Sequence, residues 1–263
     1  MIKKIIYLIF IFLGVGLFLF YFFQERFIFL NGKKIPKNVA YKFPQSFTEV
    51  NLTTKDNETI NALYFTLEKP KGVILFFHGN KGNLQRWGKT VSYLLEYEYE
   101  VFVIDYRNYG KSTGSFNETK MYEDALVAYS HLTIKFPENK IVVYGRSLGA
   151  TFAAKVASEN NPMHLILEAP FYNLKKATQF YFVLSPTFLI KYPFRTDLLI
   201  DKVASPVTFF HGDQDKTTSF DHSKELFKLV NSQQKEFVSI PTATHHNIKD
   251  YKIYTSKMKS ILE

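Results

Sequence analysis

The sequence predicts an α/β domain, built on a mostly parallel sheet with helices on both faces, behind an N-terminal membrane-spanning helix. Three observations carry this. Near the N-terminus, Ile5–Phe23 ("IIYLIFIFLGVGLFLFYFF") runs nineteen residues without a charge. Farther on, short apolar runs recur, each closed by glycine, proline or an acid, as strands buried on both faces do. Between them lie stretches whose apolar residues repeat at helical spacing. The 263 residues suffice for one large domain with a substantial core.

Taken in order, the uncharged run comes first. At about 1.5 Å per residue it spans close to the ~30 Å hydrocarbon core. A cleaved signal peptide has a shorter apolar region ending in small residues, whereas this run ends in the bulky "FYFFQER", and it has no polar face for packing as a soluble helix. A retained single-pass anchor over residues 1–25 is the expectation. The side of the membrane stays open, because Lys3 and Lys4 precede the span while Arg26, Lys33, Lys34 and Lys37 follow it. Residues 26–44, with "NGKKIPKN", read as a connector, and the domain occupies 45–263.

In the domain, "FTEVNLTT" and "TINALYFTL" alternate around "KDNE" as a hairpin. "GVILFFHGN", "EVFVIDYRNYG", "KIVVYG", "HLILEAP", "PVTFFHGDQD" and "KEFVSIP" follow as strands. Helical spacing appears in Tyr122, Ala125, Leu126, Tyr129, Leu132 and Phe136. It recurs in Leu148, Phe152 and Val156, in Leu226, Leu229 and Val230, and finally in Ile248, Tyr251, Met258, Ile261 and Leu262. One aromatic stretch near 171–202, broken by Pro186 and Pro193, interrupts the alternation. It reads as a short cap over the strand ends, with an ordinary crossover helix as the alternative.

Composition removes several function classes. Without cysteine there is no disulfide framework, thiolate nucleophile or sulfur-ligated zinc site. No H-x-x-x-H or paired-carboxylate spacing points to a metal, and no G-x-G-x-x-G or P-loop to a nucleotide, so no cofactor is expected. The net charge of +9 is spread along the chain without a basic block, which argues against a nucleic-acid partner.

The chemistry concentrates at "IVVYGRSLGATFAAKV". Gly145-Arg146-Ser147-Leu148-Gly149 fits G-x-S-x-G between a strand and a helix, the arrangement in which a serine sits on a strained elbow with its hydroxyl out of the sheet. The helix start supplies an N–H and a positive dipole end. A helix-capping serine is the plain alternative. A serine hydroxyl needs a base to take its proton and an acid to orient the base, expected here in the chain order serine, acid, histidine. Downstream, Asp213 and Asp215 follow a strand, and His245 and His246 lie between the last strand and the last helix. Glu168 is a further candidate acid at a strand end. Asp105 and Arg107 read as turn-holding residues, and His211 as part of a strand end.

Together, "FFHGN", "DYRNYGKSTG", "YGRSLGA", "EAPF", "HGDQD" and "ATHHN" resemble the α/β-hydrolase superfamily from about Glu49 onward, and within it the branch of membrane-linked protein depalmitoylases and serine-peptidase-like hydrolases. The resemblance implies the α/β-hydrolase fold. It puts the acid on the last residue of H-G-x-x-D, which is Asp215, leaving Asp213 to shape the turn. Aligning Ala243 and Ile248 with G-A-G-H-x-x-I puts the base at His245, although Thr242 and Thr244 stand at that pattern's glycines. The oxyanion donors become the backbone N–H groups of Leu148 and of Asn80 in "HGNKGN", with His78 stabilising that loop. The function implied is a membrane-anchored serine hydrolase that cleaves an acyl ester or thioester through Ser147, His245 and Asp215. Its substrate would be an acyl-containing small molecule, a lipid or an S-acylated protein. A peptidase of short peptides and a non-catalytic membrane-tethered binding protein are the alternatives.

Overall fold

The computed structural model describes residues 2–263. Helix α1 (Ile2–Phe23) extends the uncharged run by one turn at its start and buries none of its residues. Its 22 residues reach about 33 Å, and it is long and apolar enough to cross a membrane. The chain is a single-pass membrane protein. A four-residue helix, α2 (Glu25–Ile28), follows directly.

Residues 26–44 are docked on the domain and are not a free tether. Phe29 is buried and stacks on Phe116 at 4.0 Å. Leu30 bridges to Lys81, and its carbonyl accepts from the Gly82 N–H at 2.9 Å. Asn31 and Lys34 donate to the carbonyls of Asn108 and Ser112, and the Ile35 N–H donates to the Gly110 carbonyl. The turn-forming composition was legible, but the contacts join residues far apart in sequence.

Eight strands form one sheet in the order β1-β2-β4-β3-β5-β6-β7-β8. They are β1 (Phe47–Thr53), β2 (Thr59–Phe65), β3 (Gly72–Phe77), β4 (Tyr99–Ile104), β5 (Ile141–Arg146), β6 (His164–Glu168), β7 (Val207–Gly212) and β8 (Lys235–Ile240). Strands β1 and β2 make the expected antiparallel hairpin, β2 runs antiparallel to β4, and every other pairing is parallel.

The charge-free runs form the middle of this sheet because both faces are covered. On β3, Val73, Leu75 and Phe77 enter one core and Ile74 and Phe76 the other; on β5, Ile141 and Val143 oppose Val142 and Tyr144. The first core packs against α4 (Glu118–Thr133), α5 (Gly149–Glu159) and α7 (Phe220–Lys228). The second packs against α3 (Leu84–Val91) and α8 (Lys252–Leu262).

Two helical features differ from the reading of the sequence. Helix α3, capped by the Asn83 side chain, fills the crossover from β3 to β4, where eight residues are too few for the periodicity to stand out. The final helical pattern divides into a short 3-10 turn at Ile248–Asp250 and α8.

Candidate active site

At the end of β5 the backbone turns through Ser147 at φ +53° into α5. This is the left-handed region, which costs an L-residue about 1–2 kcal/mol and is held where surrounding structure leaves no alternative. Its neighbours show why glycine flanks it. A Cβ on Gly149 would sit 1.9 Å from the Phe77 carbonyl oxygen, and one on Gly145 would sit 2.5 Å from the Gly149 carbonyl oxygen. The elbow thus packs backbone to backbone against the end of β3. The Ser147 N–H donates to the Glu168 carbonyl at 2.8 Å, locking the turn to β6.

The loop leaving β3 lies beside the elbow. Gly79 passes so close that an added Cβ would be 3.7 Å from the Ser147 Cβ. Asn80 and Leu148 line the same cavity as Ser147, and neither backbone N–H has a protein acceptor among the described residues. Hydroxyls hold the loop from below: Tyr106 donates to the His78 carbonyl at 2.5 Å and Tyr109 to the Asn80 carbonyl at 2.8 Å. His78 is fully buried, stacked on Trp87, with Nε2 3.3 Å from an Asp105 carboxylate oxygen. That is a loop-supporting place, as expected. Arg107 is buried between Asp56 and Asp124, fixing the rim turn.

Asp215 and His245 come together from the loops after β7 and β8. His245 Nδ1 lies 2.7 Å from Asp215 Oδ2, and both residues are buried. The other Asp215 oxygen accepts the N–H groups of Thr217 and Thr218 at 2.7 and 2.9 Å, and the Thr218 hydroxyl donates to Oδ2 at 2.9 Å. His211 Nε2 lies 3.3 Å from the same oxygen. Burial pushes the Asp215 carboxyl up, but hydrogen bonds from His211 and His245, the His245 charge and the Thr218 N–H outweigh it. Together they hold the carboxyl well below the usual carboxylate range.

The other candidate groups are engaged elsewhere. Asp213 is exposed and accepts the Thr242 N–H at 2.7 Å. Thr242 itself stands at φ +63°, so threonine occupies here a backbone state that glycine takes without strain. His246 is exposed, its ring 5.3 Å from that of His245. Glu168 receives the Tyr144 hydroxyl and the Arg146 Nε, both at 2.6 Å.

Arg146 has a part that its variable place in G-x-S-x-G gave no sign of. While paired with Glu168 it donates from Nη2 to the His245 carbonyl at 2.5 Å, and its guanidinium lies 5.4 Å from the Trp87 ring centroid. The serine elbow and the histidine loop are thereby tied together across 99 residues of sequence. Thr218, which braces Asp215, also carried no local signal.

In front of Ser147 lies an apolar cavity of about 490 Å³. Helix α6 (Leu174–Tyr181) and the residues after it, up to Ile190, form one wall of this cavity. The membrane anchor and the residues directly after it supply a further part of the wall: Phe20 from the end of α1, Gln24 just beyond it, and Phe27 from α2. None of the residues lining the cavity carries a charge.

Comparison with known proteins agrees with this architecture. Residues 68–193 match the family model described as serine aminopeptidase, S33, a span that contains the elbow and stops short of Asp215 and His245. Protein bem46 of Schizosaccharomyces pombe is 30% identical over 78% of this chain and 73% of its own length. The lysophosphatidylserine lipase ABHD12 of Gallus gallus is 24% identical over 88% of this chain and 69% of its own length. An esterase from Pyrococcus furiosus, 21% identical, superimposes with a TM-score of 0.69 over 88% of this chain and 98% of that one, which speaks for the fold alone. The chain belongs to the α/β-hydrolase superfamily.

Proposed function

We propose that this protein is a serine hydrolase that cleaves an acyl ester or thioester through an acyl-enzyme, with Ser147 as nucleophile, His245 as base and Asp215 as the orienting acid. The observation that carries the reading is the buried 2.7 Å contact between His245 and an ionised Asp215, on loops tied by Arg146 to the strained serine elbow. Ser147 Oγ attacks the substrate carbonyl and its proton passes to His245 Nε2, while Asp215 holds the Nδ1 proton and stabilises the imidazolium. The Asn80 and Leu148 N–H groups receive the oxyanion, a contribution of about 3 kcal/mol to the barrier for one such donor. As the tetrahedral intermediate collapses, His245 returns the proton to the departing alcohol or thiol. Water then attacks the acyl-serine by the same route and releases the acid. No cofactor enters any step.

The uncharged cavity favours an aliphatic acyl chain, in keeping with the lipase named among the relatives. It counts against short peptides with a free amino terminus, because the cavity lining offers no carboxylate to receive an ammonium.

The test is hydrolysis of p-nitrophenyl esters of increasing chain length by the full chain in detergent, beside Ser147→Ala. Activity that rises with chain length and is absent from Ser147→Ala is expected. Activity confined to acetate, or undiminished in Ser147→Ala, contradicts the reading.

A further inference from the structure

The segment that follows α6 is built unlike the rest of the soluble surface. Val183, Leu184 and Phe188 are 80%, 82% and 75% exposed, and Phe180, Tyr181 and Phe182 beside them are also exposed. Elsewhere in the domain, large exposed apolar side chains stand singly, as Ile134 and Ile253 do. Apolar side chains clustered in one short segment, with no partner in the fold, mark a surface that meets something apolar.

The position of the cluster identifies what it meets. Gln24, directly after the last residue of α1, donates from Nε2 to the Leu189 carbonyl at 3.0 Å and accepts the Lys191 N–H at 2.8 Å. Lys191 Nζ lies 4.4 Å from the Tyr21 ring centroid, and the Tyr192 hydroxyl donates to Glu25 at 2.5 Å. Residues 189–192 are therefore pinned to residues 21–25, the last turn of the span and the residues directly after it. The exposed cluster ends one residue before them in the chain, at Phe188. Aromatic rings with a lysine beside them are the composition of the membrane–water interface. The same end of α1 also forms a wall of the cavity before Ser147.

We propose that Phe182–Phe188 enters the same membrane leaflet as the end of α1, and that the cavity takes its acyl chain sideways from that leaflet rather than from water. The occupant of the exposed surface is the bilayer, continuous with the bilayer around the anchor. The substrate half of the proposal rests on the acyl-hydrolase reading; the membrane contact does not.

The chain has no cysteine, so single-cysteine variants report cleanly. Full-length Leu184→Cys and Phe188→Cys would be labelled with an environment-sensitive nitrobenzoxadiazole dye in vesicles of phosphatidylcholine and phosphatidylglycerol. Ile134→Cys, 85% exposed in the connection from α4 to the start of β5, on the side of the strands away from Ser147, is the water-exposed reference. Blue-shifted emission at 184 and 188, quenched by doxyl lipids and not by iodide, is expected. Emission and iodide quenching equal to the Ile134→Cys label overturn the membrane contact.

The substrate half is read with the double variant Val183→Glu/Leu184→Glu, whose side chains do not line the cavity. Its fluorophosphonate labelling and its hydrolysis of p-nitrophenyl acetate in detergent are expected to match wild type. Its turnover of a palmitoyl ester carried in vesicles is expected to fall about tenfold or more. Turnover within twofold of wild type overturns lateral entry. Wild type that fails to label with fluorophosphonate overturns the hydrolase reading instead, and leaves the fluorescence result to decide the membrane contact by itself.

Discussion

At the scale of single residues, the site depends on how little room the elbow leaves. With a Gly149 Cβ falling 1.9 Å from the Phe77 carbonyl oxygen, Gly149→Ala has no rotamer that relieves the clash and must move β3 or α5. A loss of about 3 kcal/mol or more is expected, together with loss of labelling at Ser147. A thermal melt within 2 °C of wild type, against the roughly 6–12 °C that about 3 kcal/mol moves a domain of this size, contradicts it. Asp215→Asn removes the charge that holds the His245 tautomer, and kcat is expected to fall about 10⁴-fold with the fold intact. His246→Ala removes an exposed ring that does not contact Asp215, and kcat is expected to change less than about threefold. An equal loss in both variants would assign the base wrongly. Much of this was legible: the G-x-S-x-G spacing locates the elbow, and the resemblance separates Asp215 from Asp213 and His245 from His246. Asp215 and His245, thirty positions apart, become neighbours only when β7 and β8 pair, whereas the Thr218 brace is a local contact three residues beyond Asp215.

At the scale of elements, the loops of the site are held by side chains that bridge strands. Arg146 reaches Glu168 with Nε and His245 with Nη2, two directions that a guanidinium serves at once and an ammonium does not. Arg146→Lys is expected to lower kcat about tenfold and leave KM for a long-chain ester unchanged, because it loosens the histidine loop without touching the acyl cavity. A change in KM alone would mean that Arg146 contacts substrate. Between β6 and β7, His164 Nε2 lies 2.9 Å from the Thr208 hydroxyl. Burial, with help from the Lys257 charge and against Glu236, pushes this imidazole down to about 4.

The folded ring stays neutral while the unfolded one titrates near 6.5, so the unfolded state binds more protons between about pH 6.5 and 4. Stability is expected to fall by about 3 kcal/mol as pH drops through that window. Melting curves of His164→Gln should be less steep in pH than those of wild type; equal slopes contradict the assignment. The strands were readable from their charge-free runs, whereas α3 and the Arg146 bridge were not. The first is too short for periodicity, and the second depends on strands that no local pattern connects.

For the whole molecule, the anchor is part of the site as well as a tether. Phe20, Gln24 and Phe27 close the cavity in front of Ser147, and the stretch after α1 supports the loop that carries Asn80 through the Ile28 and Leu30 carbonyls. The uncharged run announces a membrane span by its length. Nothing in its composition tells which of its residues face the active site, because an all-apolar helix has no distinguishable face. On the proposed reading, an enzyme arranged this way works where its anchor lies, on acyl groups of the surrounding leaflet.

The most direct test of the central claim is the mass of the full-length protein and of its peptides after reaction with a fluorophosphonate. A single adduct on Ser147, absent from Ser147→Ala and formed at least about a thousandfold more slowly in His245→Gln, is the predicted result. A folded protein that takes up no adduct, or carries it on another residue, would contradict the account.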